Sequence, residues 1–239
     1  SAALEVSTAL ALLAGREINP LALAQLCQRA ESDFVGMPCG IMDQYISVFG
    51  EILMIDCRDL SARDITLPEG VAVIAVNSGV KHQLAAGSAY ADRVQECLRV
   101  AEQLGVESLR DAKPEQVQFS QHARHVVSEN QRVVDFVAAA QRGDVVEMGR
   151  LFTSSHRSLQ HDYEVSCAEL DFLVDTALGL PGVYGARMTG GGFGGSTVNL
   201  VRAEMADQFS HAIGKLYKEQ YARDAAVFAC RPSPGAGPV

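Results

Sequence analysis

The sequence predicts an α+β fold, because helix-like and strand-like stretches are mixed without a regular order. Long stretches with apolar residues at helical spacing are interrupted at irregular intervals by short runs of β-branched and apolar residues. A doubly wound sheet would instead show strict alternation of strand and helix. Of the 239 residues 48% are hydrophobic and 21% are charged, which is the composition of a globular protein with a core.

A few local signals define where the helices and strands begin and end. Gly15 ends the first apolar helical stretch, Pro20 opens the second, and Gly143-Asp144 places a helix stop and an N-cap between two long amphipathic stretches. Residues 231–239 are rich in proline and glycine, so they predict an irregular tail. The predicted elements, in chain order, are helices over 1–14, 20–30 and 41–49, strands over 52–56 and 71–77, helices over 88–104, 121–141, 145–160 and 168–178, strands over 183–189 and 196–201, a helix over 203–220 and a strand over 225–230.

The charge balance and the cysteines exclude several classes of protein. With 20 basic and 29 acidic residues the formal charge is −9, which argues against a surface that follows nucleic-acid phosphates. No apolar run approaches the ~18 residues of a membrane span, and Glu5 within the apolar N-terminal stretch argues against a signal peptide. The six cysteines are scattered without a Cys-x-x-Cys pair, so we expect mostly buried free thiols and a cytoplasmic protein.

Five glycines among residues 190–195 form the strongest local feature of the sequence. Backbone N–H groups can approach an anion closely in such a segment, as they do in phosphate-binding nests. The spacing Gly190-x-Gly192-x-x-Gly195 matches the dinucleotide-binding fingerprint, but a strand is predicted after it where that fingerprint needs a helix. We therefore exclude a Rossmann site, and a phosphate cradle and a glycine turn without a ligand both stay open.

Asp43 and two histidines are the other candidates. Asp43 is a single carboxylate in an apolar segment, so it is predicted to be a helix cap, half of a buried ion pair or a catalytic base. His156 and His161 are five residues apart and would lie on different faces of a helix, unlike a zinc-binding pair. We expect these histidines at a helix surface or between domains.

Several segments together resemble the galactokinase family of the GHMP small-molecule kinase superfamily. Long motifs in the right order are far more specific than one glycine cluster, and the resemblance extends from Ser1 to the tail. The segments are FVGMPCGIMDQY (34–45), IDCR (55–58), SHRS (155–158) with DYEV (162–165), and RMTGGGFGG (187–195).

The resemblance implies a two-domain GHMP kinase that transfers the γ-phosphoryl group of ATP to the C1 hydroxyl of galactose, giving galactose 1-phosphate for the Leloir pathway. Such an enzyme uses ATP and Mg²⁺, acts in the cytoplasm as a monomer, and has no nucleic-acid or membrane partner. Phosphoryl transfer depends mainly on positioning and charge neutralisation, which suits a carboxylate, a metal-binding acid and backbone N–H groups.

The resemblance also implies roles for individual residues. Asp43 matches the catalytic aspartate, which accepts the proton of the C1 hydroxyl or orients that hydroxyl. The other implied positions are sugar contacts at Gly40 and Tyr90 together with Asp43, Mg²⁺ ligands at Ser1 and Glu31, and phosphate contacts at Ser1, Gly190, Gly191 and Gly192.

The same resemblance implies that part of the family's pattern is missing before Ser1. We therefore expect residues 1–66 to be the remnant of an N-terminal domain, residues 67–230 to be a complete C-terminal domain, and residues 231–239 to be the tail. A chain of this kind is expected to be inactive alone and to expose apolar faces of its first helices. Two alternative functions are a sugar- and ATP-binding sensor and an N-acetylgalactosamine kinase.

Overall fold

The computed structural model describes residues 2–36, 39–81 and 83–237, apart from the side chains of residues 81 and 83–90. The chain divides into two compact units. The first consists of Ser1–Thr66 with Arg231–Val239, and the second of Leu67–Cys230. Each unit combines helices with an antiparallel sheet, so the predicted α+β class is confirmed.

The first unit is mainly helical. Its second helix begins where the sequence predicts, because the Asn19 side chain accepts a hydrogen bond from the Ala22 N–H at 3.1 Å and Pro20 occupies the first helical position. The elements of this unit are α1 (Ala2–Leu13), α2 (Pro20–Arg29), a π-helical turn (Ala30–Phe34), α3 (Met42–Phe49), and the paired strands β1 (Leu53–Ile55) and β2 (Ala62–Asp64).

Small apolar clusters hold these helices together. Val6 of α1 packs against Leu23 and Cys27 of α2, while Ile41 and Tyr45 bury their side chains between α2 and the strands. Much apolar surface is left outside these clusters, as predicted for the first helices. Leu4 is 72% exposed, Leu12 81% and Phe34 92%.

The C-terminal tail belongs to the first unit and contacts α3 through its backbone. Its described residues, 231–237, form no helix or longer strand, but the Ala236 N–H donates to the Ser47 carbonyl at 2.9 Å. Gly235 allows this approach, since a Cβ there would lie 1.9 Å from the Val48 carbonyl oxygen. The tail is thus irregular but docked.

The second unit is a four-stranded antiparallel sheet with helices packed against it. The strand order is β4-β5-β3-β6. Its elements are β3 (Val71–Lys81), α4 (Gln83–Leu104), two short 3₁₀ helices (Leu109–Asp111 and Pro114–Val117), α5 (Gln121–Gln141), α6 (Val145–His161), α7 (Ala168–Leu178), β4 (Val183–Thr189), β5 (Gly194–Arg202), a 3₁₀ turn (Ala203–Met205), α8 (Ala206–Tyr221) and β6 (Ala226–Cys230).

The core of the second unit lies between its sheet and helices α7 and α8. Ile74 and Val76 of β3, Leu173 of α7, and Phe209 and Tyr217 of α8 are almost completely buried there. Burial of large apolar side chains on this scale is the main stabilising contribution to a domain. This core lies behind β4, the strand that leads into the glycine cluster.

Helix α6 approaches β4 closely in this unit. A Cβ on Gly149 would lie 2.0 Å from the Tyr184 carbonyl oxygen, so only glycine allows the contact. The predicted helix stop and N-cap before α6 are also present. Gly143 has φ +69°, and the Asp144 side chain accepts a hydrogen bond from the Glu147 N–H at 3.0 Å.

The structure contains one strand that was not predicted, and the expectation of mostly buried thiols is wrong. The short strand β2 (Ala62–Asp64) was not expected, because three residues with two charges show no strand pattern. The cysteines are all free, but only Cys27 is buried, while Cys57 and Cys230 are exposed.

No helix among the described residues is both long and apolar enough to cross a membrane.

Candidate functional site

Asp43 lies in the first turn of α3, with its side chain exposed. The N-cap position of this helix is Ile41, and among the described residues Asp43 takes part in no ion pair. Among the described residues, Asp43 is therefore neither a helix cap nor half of a buried ion pair. Gly40, just before the helix, is also exposed, and open space surrounds the position that a Cβ would take there.

The residue after Asp43, Gln44, is buried in the interior of the first unit and is 1% exposed. Its Nε2 donates to Glu31 Oε2 at 2.8 Å and lies 3.4 Å from Glu5 Oε2. Within the described part of the chain its Oε1 has no hydrogen-bond partner. One buried amide thus connects two carboxylates from two other elements.

Glu31 lies on the π-helical turn (Ala30–Phe34) that follows α2. Single π turns in helices occur frequently at functional sites. Burial and the negative charges of Glu31 and Glu5 raise the pKa of the Cys39 thiol. The Gln28 side chain holds the backbone here by donating to the Cys39 carbonyl at 3.2 Å.

The donor set around Glu31 fits a Mg²⁺ ion. Carboxylate oxygens of Glu31 and Glu5 lie 2.8 Å and 3.4 Å from Nε2 of the buried Gln44 amide, whose oxygen lacks a partner among the described residues. Mg²⁺ prefers oxygen ligands and is usually bound by one or two carboxylates together with substrate phosphates. The described residues contain no group of three or more His, Cys, Asp and Glu side chains placed to hold a metal. Ser1 lies outside the described residues.

The glycine cluster forms the loop between β4 and β5 in the second unit and the first two residues of β5. Gly190 and Gly192 have φ of +83° and +87°. A Cβ on Gly192 would lie 2.1 Å from the Val165 carbonyl oxygen, whereas open space surrounds Gly190 and Gly191. The loop is therefore packed on one side and accessible on the other. Strand β5 follows it, so the exclusion of a Rossmann site is confirmed.

A buried histidine supports the strand before this loop. His156 Nδ1 accepts a hydrogen bond from the Met188 N–H at 3.3 Å, and both residues are completely buried. The expectation that His156 lies at a surface is wrong, because α6 packs that face against β4; His161 is exposed. Burial lowers the pKa of His156 to about 4, so the ring is neutral near pH 7 and can accept the hydrogen bond.

An arginine at the end of β4 is held by an acidic partner on α5. Arg187 Nε donates to the Met188 carbonyl at 3.0 Å, and its Nη1 lies 3.3 Å from Glu129 Oε1. Burial raises the pKa of Glu129, but the hydrogen bond from Ser155 and the charge of Arg187 lower it below its ordinary value overall. The pair fixes the strand from which the glycine loop emerges.

Sequence reasoning missed several of these residues. Gln44 follows Asp43 in the motif FVGMPCGIMDQY. The only sequence signal for its role is that a polar side chain stands at a position of α3 where helical periodicity predicts burial. Glu5, Glu129 and the buried role of His156 gave no signal, because their partners are distant in sequence. Tyr90 lies on α4, and its side chain is outside the described residues.

Comparison with known proteins identifies two related segments. Residues 136–219 match the family described as GHMP kinases C terminal, and residues 1–51 match the GHMP kinases N terminal domain. Together these segments include α1 to α3 of the first unit, and the end of α5, all of α6 and α7 and most of α8 in the second.

Curated relatives and a solved structure agree with these matches. The chain is 45% identical to the galactokinase of Roseiflexus sp. (strain RS-1), covering all of this chain and 66% of that protein. It is 47% identical to the galactokinase of Homo sapiens, covering 90% of this chain and 57% of that protein. The crystal structure of Lactococcus lactis galactokinase complexed with galactose matches with a TM-score of 0.90 at 31% identity, covering 98% of this chain and 66% of that one. The chain thus spans less than two thirds of the length of these relatives.

Proposed function

The chain belongs to the GHMP kinase family, in which its resemblance to galactokinases is confirmed, and we propose that the protein transfers the γ-phosphoryl group of ATP to the C1 hydroxyl of galactose. The observation behind this proposal is the identity of 45–47% with galactokinases over at least 90% of the chain. The solved neighbour that contains galactose supports the same sugar as substrate.

Asp43 is the proposed catalytic residue. Its exposed position on the first turn of α3 leaves its carboxylate accessible to a substrate hydroxyl. A sugar hydroxyl is a poor nucleophile near pH 7, and its proton becomes acidic only late in the reaction, as the bond to phosphorus forms. Asp43 therefore acts mainly by orienting the C1 hydroxyl, with sugar contacts from Gly40 and Tyr90.

Glu31 and Ser1 are the proposed Mg²⁺ ligands. A bound Mg²⁺ would neutralise phosphate charge during the transfer. The Glu31 carboxylate is held for this task by the 2.8 Å hydrogen bond from Gln44. Support for the assignment comes from the oxygen-rich surroundings of Glu31 and from its place on a π-helical turn.

The glycine loop is the proposed phosphate contact of the second unit. Gly190, Gly191 and Gly192, with Ser1, supply backbone and hydroxyl donors toward ATP. The open space beside Gly190 and Gly191 allows a ligand to approach the backbone, while Gly192 rests on Val165. This combination keeps the loop in place without side chains that would block its outer surface.

The proposal extends to the organisation and setting of the protein. Residues 1–66 contribute to the N-terminal GHMP kinase domain and residues 67–230 form the C-terminal domain, in accord with the segments matched at 1–51 and 136–219. Residues 231–239 are an irregular tail. We also propose a cytoplasmic monomer without nucleic-acid or membrane partners, which the formal charge of −9 and the free cysteines support.

The test is an assay of galactose 1-phosphate formation by the intact protein, this chain together with any sequence that precedes it, with ATP, Mg²⁺ and galactose. Replacing Asp43 with alanine (Asp43→Ala) should lower kcat by at least ~10²-fold, because the C1 hydroxyl loses its carboxylate partner. Asp33→Ala is a matched control, since Asp33 is also an exposed aspartate of the first unit and should keep most of the activity.

This assay tests the catalytic role of Asp43 and the proposed galactose kinase activity separately. A kcat for Asp43→Ala within a few-fold of the unchanged protein would remove Asp43 from the reaction. An unchanged protein that phosphorylates N-acetylgalactosamine in preference to galactose, or phosphorylates neither sugar, would overturn the proposed function itself.

A further inference from the structure

Gln44 occupies a position where one neutral side chain contacts two acids. Its Nε2 lies 2.8 Å from Glu31 Oε2 and 3.4 Å from Glu5 Oε2. A primary amide carries two N–H donors, so it can donate to both carboxylates at once. The contact joins α1, the π-helical turn and α3 within the first unit.

The side chain at position 44 affects both the orientation and the charge of the two acids. A lysine there would neutralise the acids permanently and compete with a cation, and a glutamate would add a third negative charge. Glutamine instead orients both carboxylates and leaves their charge available. Since Gln44 follows Asp43 directly, it also ties the carboxylates to the helix turn that presents Asp43.

The Gln44 side chain is not optimised for stability. It is 1% exposed, and its Oε1 has no hydrogen-bond partner among the described residues. A buried polar atom left without a partner lowers the stability of the folded chain. Such an atom in a native protein calls for an explanation, and a role in an ion site is one.

We propose that Gln44 is a positioning residue that holds the Glu31 carboxylate, together with Glu5, in the orientation needed to bind Mg²⁺. This inference rests on the proposed function, in which Glu31 is a metal ligand. Residues that orient metal ligands by hydrogen bonding typically change metal affinity by about 10–100-fold when replaced.

The decisive variant is Gln44→Met, which keeps the length of the side chain and removes both the donor and the orphaned oxygen. In the intact protein we expect binding of Mn²⁺ alone, followed by loss of the free-ion electron paramagnetic resonance signal, to weaken by at least about 10-fold. The melting temperature should not fall, because a buried unpaired carbonyl is lost. Galactose affinity, measured by calorimetry, should change by less than about two-fold, since α3 stays in place.

Gln28→Met is the matched control. Gln28 is a glutamine of the same unit whose amide donates to the Cys39 backbone carbonyl at 3.2 Å and not to a carboxylate. We expect Gln28→Met to leave Mn²⁺ affinity within about two-fold of the unchanged protein. Equal weakening in both variants would mean that any loss of a buried amide loosens this unit, and it would overturn the inference.

A second comparison tests whether Gln44 acts through Glu31. In a Glu31→Gln background the further change Gln44→Met should alter Mn²⁺ affinity by less than about two-fold, because the oriented ligand is already absent. A full additional loss would contradict the inference, as would unchanged Mn²⁺ affinity in Gln44→Met alone. If the unchanged protein binds Mn²⁺ but phosphorylates no galactose, the proposed function fails independently of these results.

Discussion

The two compact units hold their candidate site residues by different means. In the second unit the glycine loop emerges from β4, where Met188 and His156 are completely buried. In the first unit Asp43 and Glu31 lie among short helices that leave apolar side chains such as Leu12 exposed. There the Gln44 amide connects the carboxylates of Glu31 and Glu5 by hydrogen bonds.

Because of this difference, substitutions in the two units should affect different measured properties. A loop attached to a packed interior is positioned by burial, so a change beneath it is measured mainly as a loss of stability. Carboxylates oriented by one side-chain amide are positioned by hydrogen bonds, so a change there is measured mainly as a loss of ligand affinity. Three changes test this contrast, in the second unit at His156 and in the glycine loop and in the first unit at an exposed and a buried leucine.

Acid should destabilise the second unit through His156. Its pKa is about 4 in the folded chain against an ordinary 6.5, so between these values the unfolded chain binds more protons. The stabilisation is complete above pH 6.5 and is lost as the pH falls toward 4, by about 3 kcal/mol in total. His156→Asn keeps an acceptor for the Met188 N–H and cannot titrate, so denaturant unfolding over this range should show a smaller loss. Equal losses in both proteins would contradict the buried-histidine account.

Two neighbouring glycines should respond differently to alanine. Gly192→Ala places a Cβ against the Val165 carbonyl at φ +87°, and a left-handed conformation alone costs roughly 1–2 kcal/mol for a side chain. We expect a loss of about 2 kcal/mol in the free energy of unfolding, measured by denaturation. Gly191→Ala meets open space and should cost less than about 0.5 kcal/mol. If the two variants are equally stable, the loop is not anchored at Val165.

Surface helices of the first unit should tolerate changes to their exposed apolar residues. Leu12 is 81% exposed, so Leu12→Ser should alter the free energy of unfolding of this chain by less than about 0.5 kcal/mol. Leu23→Ala, at a position 2% exposed in the same unit, should cost about 2–5 kcal/mol. Comparable losses at the two positions would show that Leu12 is covered in solution.

Local patterns predicted the elements well where the signal was contained in a few adjacent residues. The Gly143-Asp144 pair marks the start of α6 because both the left-handed glycine and the capping carboxylate act over one helical turn. The strand after the glycine cluster was predicted in the same way. The three-residue strand β2 has no such pattern and forms only because β1 pairs with it.

The site was predictable only in part. The motif containing Asp43 indicated the family and a candidate catalytic residue, but the contact between Gln44 and Glu5 spans 39 positions of the sequence. His156 was expected at a surface, because its spacing from His161 says nothing about which strand packs against α6. Contacts of this kind depend on how distant elements meet.

The sequence by itself determined the α+β class, the GHMP kinase resemblance and the candidates Asp43, Glu31 and the glycine cluster, since these depend on composition, short-range periodicity and the order of motifs. The tertiary structure decided that Gln44 lies buried between two acids and that His156 supports the strand before the glycine loop. Burial and through-space hydrogen bonds are set by the packing of elements far apart in the chain, and no local pattern encodes them.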